Sequence, residues 1–391
     1  MVDVQAVQQK MVALSEVLKG QFIERDRVIE GMVVALLARQ HVLLLGPPGT
    51  AKSALASALC SAIGGADYFQ WLMTRYSTPE EVFGPVALSQ LKKDKFKRVT
   101  TGKLPECHVA FLDEVFKANS AILNALLTII NERKFHNNGG AVPVPLESVV
   151  GASNELPEGG TGGELAPLYD RFLLRYWIEP IKGDGSFVDL ISDEGEDGAA
   201  LPRDPAAPVG AITLDELHAA QQAVDAVRLP RKAAIRLAEL RSKLARDGVS
   251  ASDRRWKQAV NALRANAWLS GDAEVTDDHF AILSACLWDE PEQRAPVAVA
   301  VHEYCGQGVA EAMKVHDAVV ELIGSLPRES GDRVQLISRV SREGKRAEQQ
   351  LEKLLDEAVG DSSKRAIKKL QLQLRDALDP VRIEARRALG I

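Results

Sequence analysis

The sequence predicts an α/β fold followed by helices. A five-stranded parallel sheet carrying a P-loop is expected within residues 1–182, a linker over 183–212, a helical subdomain over 213–295 and a C-terminal helical region over 296–391. Three observations predict it. His41 to Ser53 reads HVLLLGPPGTAKS: an apolar run of strand length, a Gly/Pro loop, then Lys-Ser opening a periodic helix. About sixty residues on, CHVAFLDE is a second apolar run that ends in two acids. Beyond the Gly-, Pro-, Asp- and Glu-rich stretch from Lys182 to Gly210 the periodicity is helical throughout.

Composition narrows the class. A length of 391 residues suits two or three domains. A net charge of −6 leaves no global basic field for nucleic acid. Cys60, Cys107, Cys286 and Cys305 lack CxxC spacing, so they read as small buried residues of a reducing compartment. The N-terminus lacks a signal-peptide core and no apolar run is long enough to span a bilayer, so a cytoplasmic protein is expected.

Taken in order, Val4, Val7, Met11, Leu14 and Leu18 recur at helical spacing, and a second helix, about Arg25 to Ala38, leads into the strand Val42 to Leu45. The loop Gly46-Pro47-Pro48-Gly49-Thr50 curls so that its N–H groups face a phosphate, and the helix from Ala54 to Ile63 adds its positive end. Lys52 supplies a point charge for the β- and γ-phosphates, and the Ser53 hydroxyl is the expected Mg²⁺ ligand. Ala51 stands where the pattern usually has glycine. It is expected to lie already in the helical region of φ/ψ, where alanine costs nothing; a requirement for φ > 0 would compromise phosphate binding. Residues 46–54, from Gly46 to Ala54, form the expected nucleotide cradle.

Tyr68 to Thr74 is the second strand, and Thr78 caps a helix that starts at Pro79. Gly84 opens an interruption that runs to Glu106. Its middle, LKKDKFKR, is read as a solvated hairpin or loop, the alternative being an insertion that grips a partner. The third strand delivers Asp113 to its C-terminal end, where ligands sit in parallel sheets. Asp113 is placed to hold Mg²⁺ and Glu114 to polarise the attacking water. Asn119 or Ser120 caps a helix that ends near Arg133, and Asn137 to Gly140 is a turn, the tip of a hairpin or loop. Glu147 to Ser153 is the fourth strand, followed by Asn154, which can bond the attacking water or the γ-phosphate. A short helix ends at Arg171 and the fifth strand runs from Phe172 to Ile178. Arg171 and Arg175 are candidates for charge at the far side of a subunit.

In the helical part, Thr213 to Glu216 is a capping box, Pro230 starts a helix that stops near Gly248, and Ser252 caps Asp253 to Leu269. Thr276 caps a fourth helix, to about Trp288. Arg254 and Arg255 point about 100° apart, so only one of them faces a given phosphate. Leu351, Leu354, Leu355 and Val359 make one apolar stripe. Ile367, Leu370, Leu374 and Leu378 make another, broken by Pro380. A helical hairpin or small bundle is expected there, with no function assigned.

The strings GPPGTAKS, FLDEVFKANSAILNALLTIINER, GASNELP and LYDRFLLR, in this order, resemble AAA+ ATPases of the MoxR family, its RavA-like branch in particular, over roughly residues 20 to 290. The resemblance implies that Lys52 and Ser53 are Walker A, Asp113 and Glu114 Walker B, Asn154 sensor 1, Arg171 the arginine finger and Arg254 the sensor 2 arginine of the lid. Arg175 and Arg255 remain alternatives. It implies ATP and Mg²⁺ as cofactors, hydrolysis of ATP to ADP and phosphate, and a hexameric ring. There Arg171 completes a neighbour's site while Arg254 serves its own chain. It further implies a protein client, a partner with a von Willebrand A domain, and a pore lined by residues 84–106 and 135–146. A nucleic-acid motor is the alternative, kept open by the basic residues of Leu91 to Arg98 and opposed by the overall acidity.

Overall fold

A computed structural model describes residues 2–157, 163–181, 184–192, 212–324, 326, 333–358 and 361–389. Two helices, α1 (Val4–Gln21) and α2 (Asp26–Leu37), precede β1 (Val42–Leu45). Asp3 caps α1 by accepting from the N–H groups of Gln5 and Ala6. There follow α3 (Lys52–Ser61), β2 (Ile63–Gly64), β3 (Tyr68–Leu72), α4 (Pro79–Phe83), α5 (Leu88–Leu91), β4 (Val109–Asp113), α6 (Ser120–Glu132), the hairpin β5 (Lys134–Asn137) and β6 (Gly140–Pro143), β7 (Ser148–Ser153), α7 (Ala166–Tyr169) and β8 (Leu174–Trp177).

The main sheet has the order β3-β4-β7-β1-β8 with every pair parallel. All four residues of β1 are buried, as a parallel strand covered on both faces requires. Leu45 lies opposite Ser153 and Trp177, and Leu72 opposite Asp113. The chain segments after β1, β4 and β7 therefore leave one edge of the sheet side by side.

A short helix, α8 (Asp184–Ile191), stands where the sequence reading had only linker. Phe187, Val188 and Ile191 supply a helical spacing that the surrounding Gly and Asp obscure. The rest of the expected linker, 193–211, falls outside the described residues. β9 (Ile212–Thr213) pairs with β2 and leads into α9 (Leu214–Ala226), α10 (Arg231–Arg246) and α11 (Asp253–Leu269). Thr213 and Glu216 form the expected capping box, and Ser252 Oγ accepts from the Arg255 N–H at 3.1 Å. The segment expected as a fourth α-helix is instead a 3₁₀ helix, Asp277–Ala285. Phe280, Leu283 and Cys286 are all fully buried, and their spacing of three suits three residues per turn.

The N-terminal helix bridges to this helical subdomain. Gln8 Nε2 donates to the Trp268 carbonyl at 2.5 Å, and Lys10 pairs with Glu216 at 2.6 Å. After α12 (Arg294–Tyr304), three long helices, α13 (Gln307–Gly324), α14 (Arg333–Glu357) and α15 (Asp361–Leu389), pack around Val309, Ile337, Leu351, Ile367, Leu374 and Leu378. This is the expected bundle, with two corrections. Val359 lies outside the described residues. Pro380 does not break its stripe but sits inside α15. It frees the carbonyl of Asp376, an exposed residue that water reaches, while buried Val381 and Ala385 keep the next turn docked. Among the described residues no helix is long and apolar enough to cross a membrane. The four cysteines are free and buried.

Candidate nucleotide site

The loop after β1 passes three times through positive φ: Gly46 at 143°, Gly49 at 78° and Ala51 at 62°. Gly46 has no substitute, because a Cβ there would lie 2.1 Å from the Ile178 carbonyl oxygen. Ala51 corrects the sequence expectation. It is left-handed, not helical, and α3 begins only at Lys52. The strain is about 1–2 kcal/mol. A left-handed residue at this point is compatible with the kind of turn that brings successive N–H groups to one concavity. Within it, Lys52 Nζ donates to the carbonyls of Gly46 and Pro47, each at 2.8 Å, and Thr50 Oγ1 donates to the Pro47 carbonyl at 3.0 Å.

Lys52 is buried, and burial lowers its pKa against the opposing pull of Asp113 and Glu114. Those two acids close β4. Asp113 Oδ1 accepts the Glu114 N–H at 3.0 Å. Glu114 turns left-handed at φ 50°, and its Oε1 accepts from Asn154 Nδ2 at 2.6 Å. Its other oxygen lies 3.4 Å from Lys117 Nζ. The Gly46 N–H donates to the Ser153 carbonyl at 3.1 Å, which ties the loop to the strand carrying Asn154. Pro48 and Ala54 complete the loop and the first helical turn.

The donor set suits a nucleoside triphosphate with Mg²⁺. A loop with three residues at positive φ, followed at once by the N-terminus of α3 and the Lys52 ammonium, is the chemistry a phosphate group calls for. The Ser53 hydroxyl makes no hydrogen bond among the described residues, and Asp113, with Glu114, acts electrostatically on the adjacent Lys52. Mg²⁺ takes oxygen ligands and keeps waters and phosphates, so one or two protein ligands suffice. This agrees with the finding that no cluster of three His, Cys, Asp or Glu among the described residues forms a metal cage of its own.

The arginines divide into two kinds. Arg171 precedes β8 and Arg254 opens α11, and both lie at the sheet edge opposite the P-loop. Arg254 Nη2 donates to Asn131 Oδ1 at 2.5 Å, near the C-terminal end of α6. Two residues beyond Asn131, Arg133 binds the carbonyls of Arg39 and Glu147, residues that precede β1 and β7. Arg171 sits 3.4 Å from Asp170, its Nε is buried without a partner, and burial with Arg254 nearby lowers its pKa. The sequence expectation has Arg254 serving the P-loop of its own chain; in the structure it is hydrogen-bonded to Asn131, at the end of α6 remote from Glu114.

Arg175 and Arg255 are of the second kind, buried clamps. Arg175 donates to the carbonyls of Tyr169, Phe172 and Trp288 and to the Asp289 carboxylate, and stacks 3.7 Å from the Tyr169 ring centroid. Arg255 donates to the carbonyls of Cys286 at 2.5 Å, Phe172 at 3.2 Å and Leu173 at 3.1 Å. Burial pushes its pKa down to about 10, Arg175 adding to the effect. A sequence signal existed for Arg255, which shares a helical face with buried Ala259 and Ala262. Sequence reasoning does not single out Lys117 or Asn131, and only the (i, i+3) spacing from Glu114 could have pointed to Lys117.

Sheet order, P-loop, paired acids and Asn154 together define a P-loop ATPase of the AAA+ class. The chain belongs to the MoxR family. Residues 9–222 match the family model for the MoxR domain in the MoxR-vWA-beta-propeller ternary systems, and residues 234–301 match that for an AAA lid domain. An uncharacterised protein of Methanocaldococcus jannaschii is 36% identical over 324 residues, 83% of each chain. Protein MoxR of Paracoccus denitrificans is 26% identical over 69% of this chain and 85% of its own. The chaperone MoxR1 of Mycobacterium tuberculosis is 26% identical over 44% of each. A solved structure of a candidate ATPase from Cytophaga hutchinsonii shares the fold, with a TM-score of 0.60 at 14% identity over 78% of this chain and 96% of that one.

Proposed function

We propose that the protein hydrolyses Mg²⁺-ATP at the interfaces of a hexameric ring and uses the cycle to remodel or assemble protein complexes. One observation carries the reading: the two halves of the chemistry lie on opposite edges of the sheet. Lys52, Asp113, Glu114 and Asn154 stand at the C-terminal edge, Arg171 and Arg254 at the N-terminal edge. The four residues of β8 alone separate them by about 13 Å at 3.3 Å per residue. One chain cannot bring both sets to one γ-phosphate, so a second copy has to supply the arginines.

In this reading Lys52 and residues 46–54 hold the phosphates, and Ser53 and Asp113 hold Mg²⁺, which neutralises the triphosphate charge. Glu114, positioned by Asn154, takes the proton of the attacking water. Arg171 and Arg254 of the neighbour meet the charge on the γ-phosphate, and such an arginine is worth about 10³–10⁵ in rate. Residues 1–182 form the nucleotide core, 213–295 the lid and 296–391 an appended bundle. The matched family description supports a von Willebrand A domain partner and a β-propeller protein. The motif strings keep the RavA-like branch in view. The free buried thiols suit the cytoplasm.

The test is mixing. Glu114→Gln and Arg171→Ala are each expected to be inactive, while their mixture regains activity because some interfaces pair an intact Glu114 with an intact Arg171. A mixture that stays inactive while subunits exchange, together with wild-type turnover per subunit that does not rise with concentration, would overturn the reading.

A further inference from the structure

The segment between Gly84 and Glu106 carries surface features that nucleotide chemistry does not use. It is a closed loop. Val86 bridges Arg98, the Ala87 N–H donates to the Lys97 carbonyl at 2.8 Å, and the Val99 N–H to the Pro85 carbonyl at 2.8 Å. Gly84 permits the closure, since a Cβ there would sit 1.8 Å from the Val99 oxygen. Every residue from Leu91 to Lys97 is exposed. Leu88 is 74%, Phe96 57% and Leu91 50% exposed. Among them stand Lys92, Lys93, Lys95 and Lys97 against Asp94, and none of the four lysines makes an ion pair among the described residues. Arg98 is committed elsewhere, to Glu80 at 3.1 Å and the Gly84 carbonyl at 2.8 Å.

The loop is also tied to the β5–β6 hairpin. Asn137, at the tip of the β5–β6 hairpin, accepts from the Arg98 N–H at 2.8 Å and donates to the Arg98 carbonyl at 3.2 Å. That hairpin joins α6, which follows Glu114, to β7, which ends at Asn154.

We propose that this tip binds an acidic segment of a client protein that carries aliphatic or aromatic residues among its acids. The inference rests on the remodelling role argued above and names the class of client. In a chain of net charge −6, a concentrated cationic tip attracts an acidic partner at long range. Two exposed leucines and a phenylalanine then need apolar surface to cover them, and burying them supplies affinity. Nucleic acid fits less well. Leucine cannot stack on bases, the only aromatic is Phe96, and Arg98, the guanidinium that would grip a phosphate in two-pronged fashion, is already bound.

The experiment is fluorescence anisotropy on the assembled Glu114→Gln protein with ATP, so that binding is read without turnover. The probes are a labelled peptide alternating Glu with Leu and Phe, an all-Glu peptide, the same Leu/Phe peptide with Lys for Glu, and labelled single-stranded DNA. Two variants carry the test: Lys92, Lys93, Lys95 and Lys97 all changed to Ala, and Leu88, Leu91 and Phe96 all changed to Ser. These positions are exposed, and circular dichroism checks the fold. The mixed peptide is expected to bind about tenfold more tightly than either other peptide, and each variant to lose about tenfold, or roughly 1.4 kcal/mol. Equal binding by wild type and variants, or none, overturns the proposal. DNA bound more tightly than the mixed peptide and lost with the lysines assigns the tip to nucleic acid instead. Smaller assemblies of the Ser variant in sedimentation assign it to a neighbouring subunit. Failure here with successful activity recovery on mixing leaves the ATPase reading intact, and the reverse pattern overturns only that reading.

Discussion

Asn154 Nδ2 donates to Glu114 Oε1 at 2.6 Å, so the residue after β7 holds the acid after β4 in position. Asn154→Ala is expected to lower ATP turnover about tenfold to a hundredfold with little change in ATP affinity. Glu114→Gln removes the base itself and should cost about 10²–10⁴, while Lys52→Ala should remove most nucleotide affinity. Nucleotide titration with single-turnover hydrolysis separates the three, and an Asn154→Ala protein with wild-type turnover would show that the contact does not position Glu114.

Ala51 is strained at φ 62°, and glycine is not. Ala51→Gly should hold the loop unchanged and shift stability by less than about 1 kcal/mol, because relief of strain is offset by the greater freedom of the unfolded chain. Ala51→Val, β-branched at positive φ, should destabilise the protein and weaken ATP binding together. Denaturant midpoints and nucleotide affinity measured on both variants check this.

Neighbouring arginines on α11 should behave oppositely. Arg255→Met removes a buried guanidinium from several carbonyls, and about 3–5 kcal/mol of stability is expected to go with it. Arg254→Ala, at an exposed contact with Asn131, should leave the denaturation midpoint within about 0.5 kcal/mol of wild type while turnover falls. Equal destabilisation by both changes would contradict the assignment of Arg255 as the clamp.

His41 gives a pH dependence. It is fully buried, with Nδ1 accepting from the Val149 N–H at 2.9 Å and Nε2 near the Ile130 carbonyl and Arg133. Burial, then Arg133, then Arg254 hold its pKa well below 6.5, against the Ile130 carbonyl. The unfolded chain therefore binds the proton more readily than the folded one. The stability from neutral His41 is full above about pH 6.5 and is lost as pH falls below it, by up to about 1.4 kcal/mol per pH unit until the folded pKa is reached. Denaturant unfolding at stepped pH should show this slope, and His41→Gln should flatten it.

Much of the core was legible because its signals are local. The apolar run Val42 to Leu45, the caps at Thr78, Asn119, Thr213 and Ser252, and the turn at Asn137 each declare themselves within a few residues. What was not legible depends on distant partners. The φ of Ala51 follows from how the loop closes against β7 and Lys52, not from its own propensity. Asp277 to Ala285 winds as 3₁₀ because three buried side chains meet other elements at a spacing of three. Arg254 and Arg255 carry the same charge at adjacent positions, and only the carbonyls of Phe172 and Leu173 decide which one is sequestered. The partnership of Arg254 with Asn131 spans 123 residues of chain and leaves no local trace.

A cut in the compositional break after Lys182 would not yield two folding halves. The first fragment would keep Arg175 but lose the Trp288 carbonyl and the Asp289 carboxylate. The second would keep Arg255 but lose the carbonyls of Phe172 and Leu173. Each would inherit a buried cation without its full set of acceptors. For the same reason, exchanging the C-terminal half with that of a relative by recombination is expected to preserve the fold only where both arginines and both groups of acceptors are inherited together, although the sequence between them looks like a seam.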